Sequence, residues 1–340
     1  MTDHDVIERL VKFRQGCHMH IIAAVEKPIR FGAFPARRRT QFAAAAIAAL
    51  GLAGLRAFEA GGLLVPDFSL VAVAHPGDVG HGEFNAYVAA HSVRGLGGAA
   101  APAGPDDFQS HCLQSAPNGQ PDVVIVGDSH AHQLYVGVAE ALPAENVALC
   151  WASAPPLLDD PTFGPIFRGV AAATGPRVVI LSVFWSQRLA WLPKELDRRR
   201  ELDRVVALLR ASGKAVYVLN DFPAFPFRPD RCKFEGRLGV PSLCDEPAAT
   251  LEAQLRAYAG ELANAVADNP GARLVDSAHM LCEGGVCSMQ ADGKLLYRDW
   301  MHLNLNGSRL IGAKLVAAVP ELAAVGGSRA EGAVTAPWSN

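Results

Sequence analysis

A short run of β-branched residues that leads straight into a helical segment most constrains the fold of this chain. Residues 123–126 read Val-Val-Ile-Val and are followed by Gly127-Asp128-Ser129. An apolar run of this length, ending at a glycine, is typical of a strand buried on both faces of a parallel sheet. Further strands are predicted at 147–151, 178–183, 216–219 and 273–276. Helices are predicted at 132–142, 196–211, 250–268 and 306–319. This alternation predicts an α/β fold in which helices cross over between parallel strands.

The same strand end presents a candidate nucleophile. In open parallel sheets, ligands bind beyond the carboxyl ends of the strands, and Ser129 lies at such an end. A serine hydroxyl needs a base within hydrogen-bond reach, and that base needs a third group to fix its tautomer. Asp299 and His302 lie three positions apart just before the last predicted helix, and they supply these two groups. The competing interpretation is that Ser129 caps a helix and His302 is an ordinary surface histidine.

These two segments resemble the first and last sequence blocks of the SGNH hydrolase superfamily. In that family Gly-Asp-Ser opens the domain and Asp-x-x-His closes it. The resemblance implies a three-layer α/β/α fold with a central parallel sheet, the flavodoxin-like SGNH fold. It also implies that Ser129 is the nucleophile, His302 the base and Asp299 the orienting carboxylate.

The middle blocks of the family, which supply a glycine amide and an asparagine to the oxyanion hole, are not clear in this sequence. We expect the backbone amide of Ser129 to be one oxyanion donor, since it begins a helix. Asp128, Ser182 and Trp185 are further candidates for the oxyanion hole or the substrate site. Two alternatives stay open: Asp128 is an N-cap, and Trp185 is a packing residue. We place the dipeptide at 220–221 outside the hole.

Two histidines follow the candidate nucleophile. His130 is adjacent to Ser129, but neighbouring side chains at such a turn usually point apart, so it is the weaker candidate for the base. Gly-Asp-Ser-His resembles the variant found in SGNH domains attached to membrane acyltransferases. We expect His132 to lie on the surface of the helix.

Composition excludes several classes of function. Of the 340 residues, 50% are hydrophobic and 19% are charged, which suits a globular core with an apolar appendage. The formal net charge of −3 gives no case for nucleic-acid binding. We predict no cofactor and no metal site.

The cysteines indicate the compartment. Of the seven, six lie in the C-terminal part, and an even number there suits disulfides in an oxidising environment. Short enclosed loops favour pairing Cys282 with Cys287 and Cys232 with Cys244, which leaves Cys112 for Cys150. Zinc binding is a competing interpretation, although the sequence has no Cys-x-x-Cys pair. Reduced, buried thiols are the other.

The N-terminal region carries a membrane signal. An apolar stretch at 42–55 follows Arg37-Arg38-Arg39, and we predict a transmembrane helix over about 41–60. The arginines predict that their side faces the cytoplasm, which places the C-terminal domain in the periplasm or outside the cell. The alternative is a buried core helix.

A second resemblance concerns Glu26-Lys27-Pro28-Ile29-Arg30. It is similar to the Glu-x-Pro-x-Arg signature near the end of the membrane domain of type-3 membrane acyltransferases, some of which carry a C-terminal SGNH domain. The transmembrane helices that precede this signature in that family have no counterpart here. The resemblance therefore leaves three alternatives: a natural fragment, a truncated reading frame, or a partner of a separately encoded membrane acyltransferase.

These observations together predict the organisation of the chain. We expect a partial membrane segment at 1–61, a linker at 62–110, an SGNH catalytic domain at 111–322 and a flexible tail at 323–340. The resemblances imply serine-dependent transfer of an acyl group, acetyl above all, to or from an extracytoplasmic glycan. Two alternatives remain: a free-standing carboxylesterase that is membrane-anchored or secreted, and a non-catalytic accessory or truncated remnant that binds glycan.

Overall fold

The computed structural model describes residues 77–97, 111–234 and 244–327, together with positions 45, 49, 51 and 52. The three ranges belong to one compact unit, Ala74–Asn340, and the four positions belong to a separate unit, Met1–Val73. Apart from those positions, the predicted transmembrane helix lies outside the described residues, as do the signature at 26–30 and most of the predicted tail. None of the helices described in the structure is long and apolar enough to span a bilayer.

A seven-stranded sheet forms the centre of the domain. Its strands, in chain order, are β1 (Val93–Arg94), β2 (His111–Gln114), β3 (Val123–Gly127), β4 (Val147–Trp151), β5 (Val178–Ser182), β6 (Ala215–Leu219) and β8 (Ala272–Val275). Their spatial order is β1-β2-β4-β3-β5-β6-β8. Strands β4, β3, β5, β6 and β8 are parallel to one another, and β2 pairs with β4 in the antiparallel direction. The parallel strands thus have the flavodoxin-like order, which reverses between β3 and β5.

Nine α-helices lie within residues 77–97, 111–234 and 244–327, in addition to two short 3₁₀ helices at Pro229–Phe234 and Ala278–Leu281. They are α1 (His81–Ala90), α2 (Ser129–Ala141), α3 (Phe163–Ala172), α4 (Trp185–Ala190), α5 (Arg198–Ala211), α6 (Ala248–Leu255), α7 (Ala259–Ala267), α8 (Leu305–Ala318) and α9 (Pro320–Gly327). The connection from β3 to β4, which contains α2, runs in one direction along the sheet, and the connections from β4 to β5, β5 to β6 and β6 to β8 run in the opposite direction. Because such crossovers are right-handed, α2 lies on one face of the sheet. The same rule places α3, α5 and α7 on the opposite face. The predicted three-layer α/β/α fold is confirmed.

The core sits between these layers. All five residues of β3, β4 and β5 are buried, as expected for central strands of a parallel sheet. Three further short strands, β7 (Asp245–Pro247), β9 (Cys282–Glu283) and β10 (Val286–Ser288), form a small separate sheet. A two-stranded hairpin, β11 (Gln290–Ala291) and β12 (Lys294–Leu295), leads into the segment that carries Asp299 and His302.

Two secondary-structure predictions need correction. The helix predicted at 250–268 is divided into α6 and α7, because Tyr258 adopts a non-helical backbone conformation between them. Its hydroxyl accepts a hydrogen bond from the Asp221 amide at 3.0 Å, which fixes the chain at this point. The antiparallel edge formed by β1 and β2 was not predicted either, since both strands are short and polar.

Helix α1 lies within the predicted linker, at 62–110, and packs on the domain. Phe84 and Val88 are buried in the core. The Tyr87 hydroxyl donates a hydrogen bond to Glu140 of α2 at 2.9 Å, and Arg309 of α8 donates to the same carboxylate at 2.7 Å. This segment is therefore attached to both helices that flank the candidate nucleophile and base.

Helices α2 and α8 approach each other at glycines. A Cβ on Gly137 would overlap the backbone of Ser308, and a Cβ on Gly312 would overlap the backbone of Gly137. The Ser308 hydroxyl also accepts a hydrogen bond from the Gly137 amide at 2.9 Å. Only residues without side chains allow this crossing, so the distance between the two helices is tightly fixed.

The three predicted disulfides are present. Cys112 and Cys150 face each other across β2 and β4, and Cys282 and Cys287 face each other across β9 and β10. Cys232 pairs with Cys244 across a loop whose middle, residues 235–243, lies outside the described part of the chain. Disulfides of this number are typical of proteins in an oxidising compartment.

The loops closed by these disulfides predict their relative contributions to stability. Cys112 and Cys150 are 38 positions apart and Cys282 and Cys287 are 5 apart. The chain-entropy relation gives about 4 kcal/mol for the longer loop and about 2 kcal/mol for the shorter. We expect urea denaturation to show a larger loss of unfolding free energy for the Cys112→Ala/Cys150→Ala variant than for Cys282→Ala/Cys287→Ala. Equal losses would contradict an effect of loop length.

Candidate active site

The candidate nucleophile lies where the strand order reverses. Strand β3 ends at Gly127, and Ser129 is the first residue of α2. A Cβ on Gly127 would overlap the carbonyl oxygen of Ser182, the last residue of β5. Glycine is therefore required for the chain to turn from strand to helix this close to β5. Ser129 emerges, half-buried, at the position where flavodoxin-like folds bind ligands.

Three side chains form a hydrogen-bonded chain at this position. His302 Nε2 lies 2.9 Å from Ser129 Oγ, and His302 Nδ1 lies 2.7 Å from Asp299 Oδ2. Asp299 accepts a hydrogen bond from Nδ1 of His302, so the ring proton lies on Nδ1 and the lone pair of Nε2 faces the serine hydroxyl. A general base needs this tautomer. The residues predicted as nucleophile, base and orienting carboxylate are thus brought together.

The carboxylate of Asp299 is held ionised. Its Oδ1 accepts the backbone N–H groups of Met301 at 2.8 Å and His302 at 2.7 Å. Burial would raise the pKa of Asp299, but the hydrogen bond and charge of His302, with these two amides, lower the pKa well below its ordinary value. A carboxylate that stays charged can stabilise the imidazolium that forms when His302 takes a proton.

Helix α2 also holds the histidine segment. The Gln133 side-chain oxygen accepts a hydrogen bond from the Leu303 amide at 2.7 Å. Asn304 caps α8 by accepting the Gly307 amide at 3.0 Å. His302 is therefore positioned from the serine helix on one side and from its own following helix on the other.

Below the serine turn lies a buried ion pair. Asp128 Oδ2 lies 2.7 Å from Arg188 Nε, and both side chains are almost inaccessible to solvent. Asp128 also accepts the amides of His130 at 2.9 Å and Phe184 at 3.2 Å, which joins the start of α2 to the segment after β5. The carboxylate is thus the N-cap of the serine helix, and it is fully buried.

Within the described part of the chain, no hydrogen bond joins Ser129 to the other candidates for oxyanion or substrate binding, Ser182 and Trp185. Ser182 is buried and contributes its carbonyl to the packing against Gly127. The structure corrects the prediction for Trp185, whose indole is fully buried and donates a hydrogen bond to the Leu219 carbonyl at 2.6 Å. It is a packing residue. Asp221 accepts the amides of Trp185 at 2.6 Å and Ser186 at 3.0 Å, and burial raises its pKa to about 7.

The two histidines that follow Ser129 are both buried. His130 is stacked on Phe184 with ring centroids 4.5 Å apart, and neither of its ring nitrogens has a hydrogen-bond partner within the described segments. Burial lowers the pKa of His130 well below its ordinary value. The prediction that His132 lies on the surface is wrong, because its ring is packed between Trp151 and Phe84. Neither residue takes the place of His302.

Sequence reasoning missed three residues of this region. His81 Nε2 lies 2.6 Å from Asp299 Oδ2, and Arg298 Nε lies 3.2 Å from His81 Nδ1. Arg188 is the third. Adjacency to Asp299 was a signal for Arg298, whereas nothing in the sequence links His81 to a residue 218 positions later.

A metal ion could be considered at His81, Asp299 and His302. Among the described residues this group alone has three ligand atoms within 4.8 Å of one another. Its atoms are joined by hydrogen bonds of 2.6 and 2.7 Å, which are distances for proton-mediated contacts. The arrangement thus fits a hydrogen-bond network as it stands.

An aromatic groove lies beside the histidine segment. It has a volume of about 420 Å³ and is lined by Ala224, Phe225, Pro226, Phe227, Arg228, Thr250, Gln254 and Trp300. Trp300 is 41% exposed and stands between Asp299 and His302 in the chain. Its carbonyl accepts the Phe225 amide at 2.8 Å, which attaches the groove to the catalytic segment.

Comparisons with known proteins identify the family of the chain. Residues 98–317 match the family of SGNH domains described as fused to AT3 domains. Among solved structures, the chain is similar to the periplasmic domain of a lipopolysaccharide acetyltransferase from Salmonella ser. Paratyphi A, with 14% identity, a TM-score of 0.44 and coverage of 58% of this chain and 83% of that one. A proposed acylhydrolase from Bacteroides fragilis matches with 15% identity, a TM-score of 0.35 and coverage of 58% and 86%. No curated protein matches the chain significantly.

The ion pair below the serine turn generates a prediction. Replacing Arg188 by methionine keeps much of the side-chain volume but leaves the buried Asp128 carboxylate unpaired. Breaking a buried ion pair in this way costs about 3–5 kcal/mol. We expect the Arg188→Met variant to unfold at a clearly lower urea concentration than the native protein.

The matched control is Arg199→Met, which removes an ion pair to Asp268 of the same 2.7 Å length on the surface. Exposed ion pairs contribute little to stability, so this variant should unfold close to the native midpoint. Equal midpoints for the two variants would show that the Asp128–Arg188 pair does not stabilise the fold.

Proposed function

Because the chain belongs to the family of SGNH domains that are fused to AT3 domains, we propose that it transfers an acetyl group to or from an extracytoplasmic glycan. The family makes it an enzyme of acyl-ester chemistry. The observation that carries the proposal is the hydrogen-bonded chain from Ser129 through His302 to Asp299 at the carboxyl end of the sheet. We assign these residues the roles of nucleophile, general base and orienting carboxylate.

The first half-reaction acylates the serine. Ser129 Oγ attacks the carbonyl carbon of an acyl ester while His302 Nε2 takes the hydroxyl proton. The tetrahedral intermediate expels the alcohol oxygen, which receives that proton back from His302. Asp299 stabilises the transient imidazolium because it stays ionised. The product is an acetyl group bound to Ser129 and a free alcohol.

The second half-reaction returns the acyl group to an acceptor. His302 Nε2 takes the proton of the incoming hydroxyl, whose oxygen attacks the acyl-serine carbonyl, and Ser129 leaves with the proton. A sugar hydroxyl as acceptor gives transfer, and water gives hydrolysis. The backbone amide of Ser129, at the start of α2, is our candidate for stabilising the oxyanion in both steps.

The groove at Trp300 supports a glycan as the second substrate. An exposed indole on the segment between Asp299 and His302 offers a flat apolar surface, and the lining residues Arg228, Thr250 and Gln254 offer polar groups. Its volume lies within the range of small-molecule sites. We propose that it binds the sugar whose hydroxyl is acylated or deacylated.

Compartment and partner form the remaining part of the proposal. Three disulfides support an extracytoplasmic location. Fusion to AT3 domains within the family supports a membrane acyltransferase as the donor of acyl groups. The proposed anchor is the apolar segment at 41–60.

Substitution of the assigned residues tests the mechanism. We expect Ser129→Ala and His302→Ala each to lower the rate of cleavage of an activated acetyl ester by at least about 1,000-fold. Mass spectrometry after incubation with that ester should show an acetyl adduct on the native peptide that contains Ser129.

The chain offers a matched control in His279. It pairs with Asp276 at 2.7 Å with the same sequence spacing as the proposed base, but it lies on the surface. His279→Ala should keep the native rate. Near-native activity of Ser129→Ala would contradict the mechanism, and no ester cleavage by the native protein would favour the non-catalytic alternative.

The choice of acceptor is tested by the partition of labelled acetyl. With an activated donor alone, the native protein should release free acetate, and an added extracytoplasmic polysaccharide should divert label into sugar esters. Trp300→Ala should reduce the diverted fraction while leaving acetate release close to native, because the indole lines the groove but carries none of the groups that transfer the proton or the acyl group.

Two outcomes would contradict this assignment. Rapid cleavage of long-chain esters with no glycan labelling under any condition would favour the free-standing carboxylesterase. Unchanged partition in Trp300→Ala would place the acceptor elsewhere.

A further inference from the structure

A histidine from outside the matched family region reaches the candidate catalytic carboxylate. His81 is the first residue of α1, whereas the family match begins at residue 98. Its Nε2 lies 2.6 Å from Asp299 Oδ2, the same oxygen that receives His302 Nδ1. The rings of His81 and His302 meet edge to face with centroids 5.4 Å apart.

The hydrogen-bond partners of His81 define its proton. A guanidinium has only donors, and Arg298 Nε lies 3.2 Å from His81 Nδ1, so Nδ1 must be the acceptor. The ring proton therefore resides on Nε2 and is donated to Asp299. His81 is a neutral imidazole in this arrangement, and its contact with Asp299 is a hydrogen bond with no ion pair.

Electrostatics agree with that assignment. Burial and the charge of Arg298 lower the pKa of His81, against an opposing effect of Asp299. The charged and titratable groups that face its ring are Arg298, Asp299 and His302 on the catalytic segment and His132 on α2. Protonation of Nδ1 would point a proton at a guanidinium, so the neutral form is favoured near neutral pH.

His81 supplies the fourth hydrogen-bond donor to the carboxylate of Asp299. Asp299 Oδ1 already accepts two backbone amides, and Oδ2 accepts His302 on one side. The Nε2–H of His81 fills the remaining acceptor position. With four donors, the carboxylate is restrained in every direction in its plane.

The ring is itself held in place by the docking of α1. The Arg298 guanidinium lies over the ring of Phe84, 4.0 Å from its centroid, and Phe84 is fully buried. The same guanidinium donates to the Leu303 carbonyl. Arg298 thereby connects His81 and α1 to the segment that carries the proposed triad.

We propose that His81 is a positioning residue that fixes Asp299, so that the segment before the SGNH domain completes the active site. The inference rests on the roles proposed above for Ser129, His302 and Asp299. It assigns His81 no contact with substrate.

Two consequences distinguish positioning from a structural role. Without His81, Asp299 gains freedom to rotate, so kcat should fall while KM changes little. The negative charge on Oδ2 is also no longer shared with a second donor. The imidazolium of His302 is then held more strongly, and the acidic limb of the pH–rate profile should move to higher pH.

The test compares three variants in the full chain. His81→Ala removes the donor. His81→Gln restores one donor and one acceptor but cannot titrate. Glu83→Gln is the control, because it changes an exposed charge on the same helix turn. Each protein is assayed with an activated acetyl ester from pH 5 to 9, and urea unfolding confirms that all are folded.

We expect His81→Ala to lower kcat roughly tenfold, as is typical when a hydrogen bond that orients a functional side chain is removed. The acidic limb of the pH–rate profile should move upward by roughly half a pH unit. His81→Gln should recover most of kcat and the native limb, and Glu83→Gln should match the native enzyme. The far-downfield proton NMR signal of the His302–Asp299 hydrogen bond should shift in His81→Ala and return in His81→Gln.

Native kcat, pH profile and NMR signal in His81→Ala would overturn the inference. Equal losses in His81→Gln and His81→Ala would also overturn it, because the hydrogen bond would then not be the cause. Activity in Ser129→Ala equal to native would instead reject the proposed function, and the NMR comparison would still test His81.

Discussion

The close crossing of α2 and α8 is the constraint on which the proposed active site depends. Ser129 begins one helix, and His302 lies three positions before the first residue of the other. Because Gly137 and Gly312 allow the backbones to touch, the two ends cannot move apart without breaking that contact. The hydrogen bond of 2.9 Å between His302 and Ser129 thus follows from helix packing, with Gln133 adding a direct connection.

A second constraint acts from the opposite side of the serine turn. Asp128 receives Arg188 and two backbone amides in the interior, where an unpaired charge would be costly. The turn therefore cannot relax towards solvent. The candidate nucleophile is thus held between an uncharged helix contact and a buried ion pair.

Local pattern was sufficient to predict the parallel strands and to select Ser129, Asp299 and His302, which the structure brings together. It was insufficient for contacts between distant segments. The run at 123–126 could be assigned because its side chains are apolar and β-branched. The sequence contains a second Asp-x-x-His at 276–279. Only the three-dimensional fold shows that His302 lies at Ser129, whereas His279 lies on the surface. His81 and Arg188 were missed because their roles depend on tertiary proximity, and Trp185 was misjudged because its exposure could not be read from its neighbours.

The balance between transfer and hydrolysis cannot come from the triad, because both acceptors use the same base. It must come from which hydroxyl reaches the acyl-serine first. His81 and Trp300 are both partly exposed, so the described site is open to water. A well-oriented acceptor can reach an effective concentration on the order of 10⁵ M or more, which exceeds that of bulk water. Under the proposed mechanism, transfer therefore depends on an acceptor hydroxyl held beside the acyl-serine, and the groove at Trp300 is our proposed place for that sugar. An empty groove leaves the acyl-serine to hydrolysis.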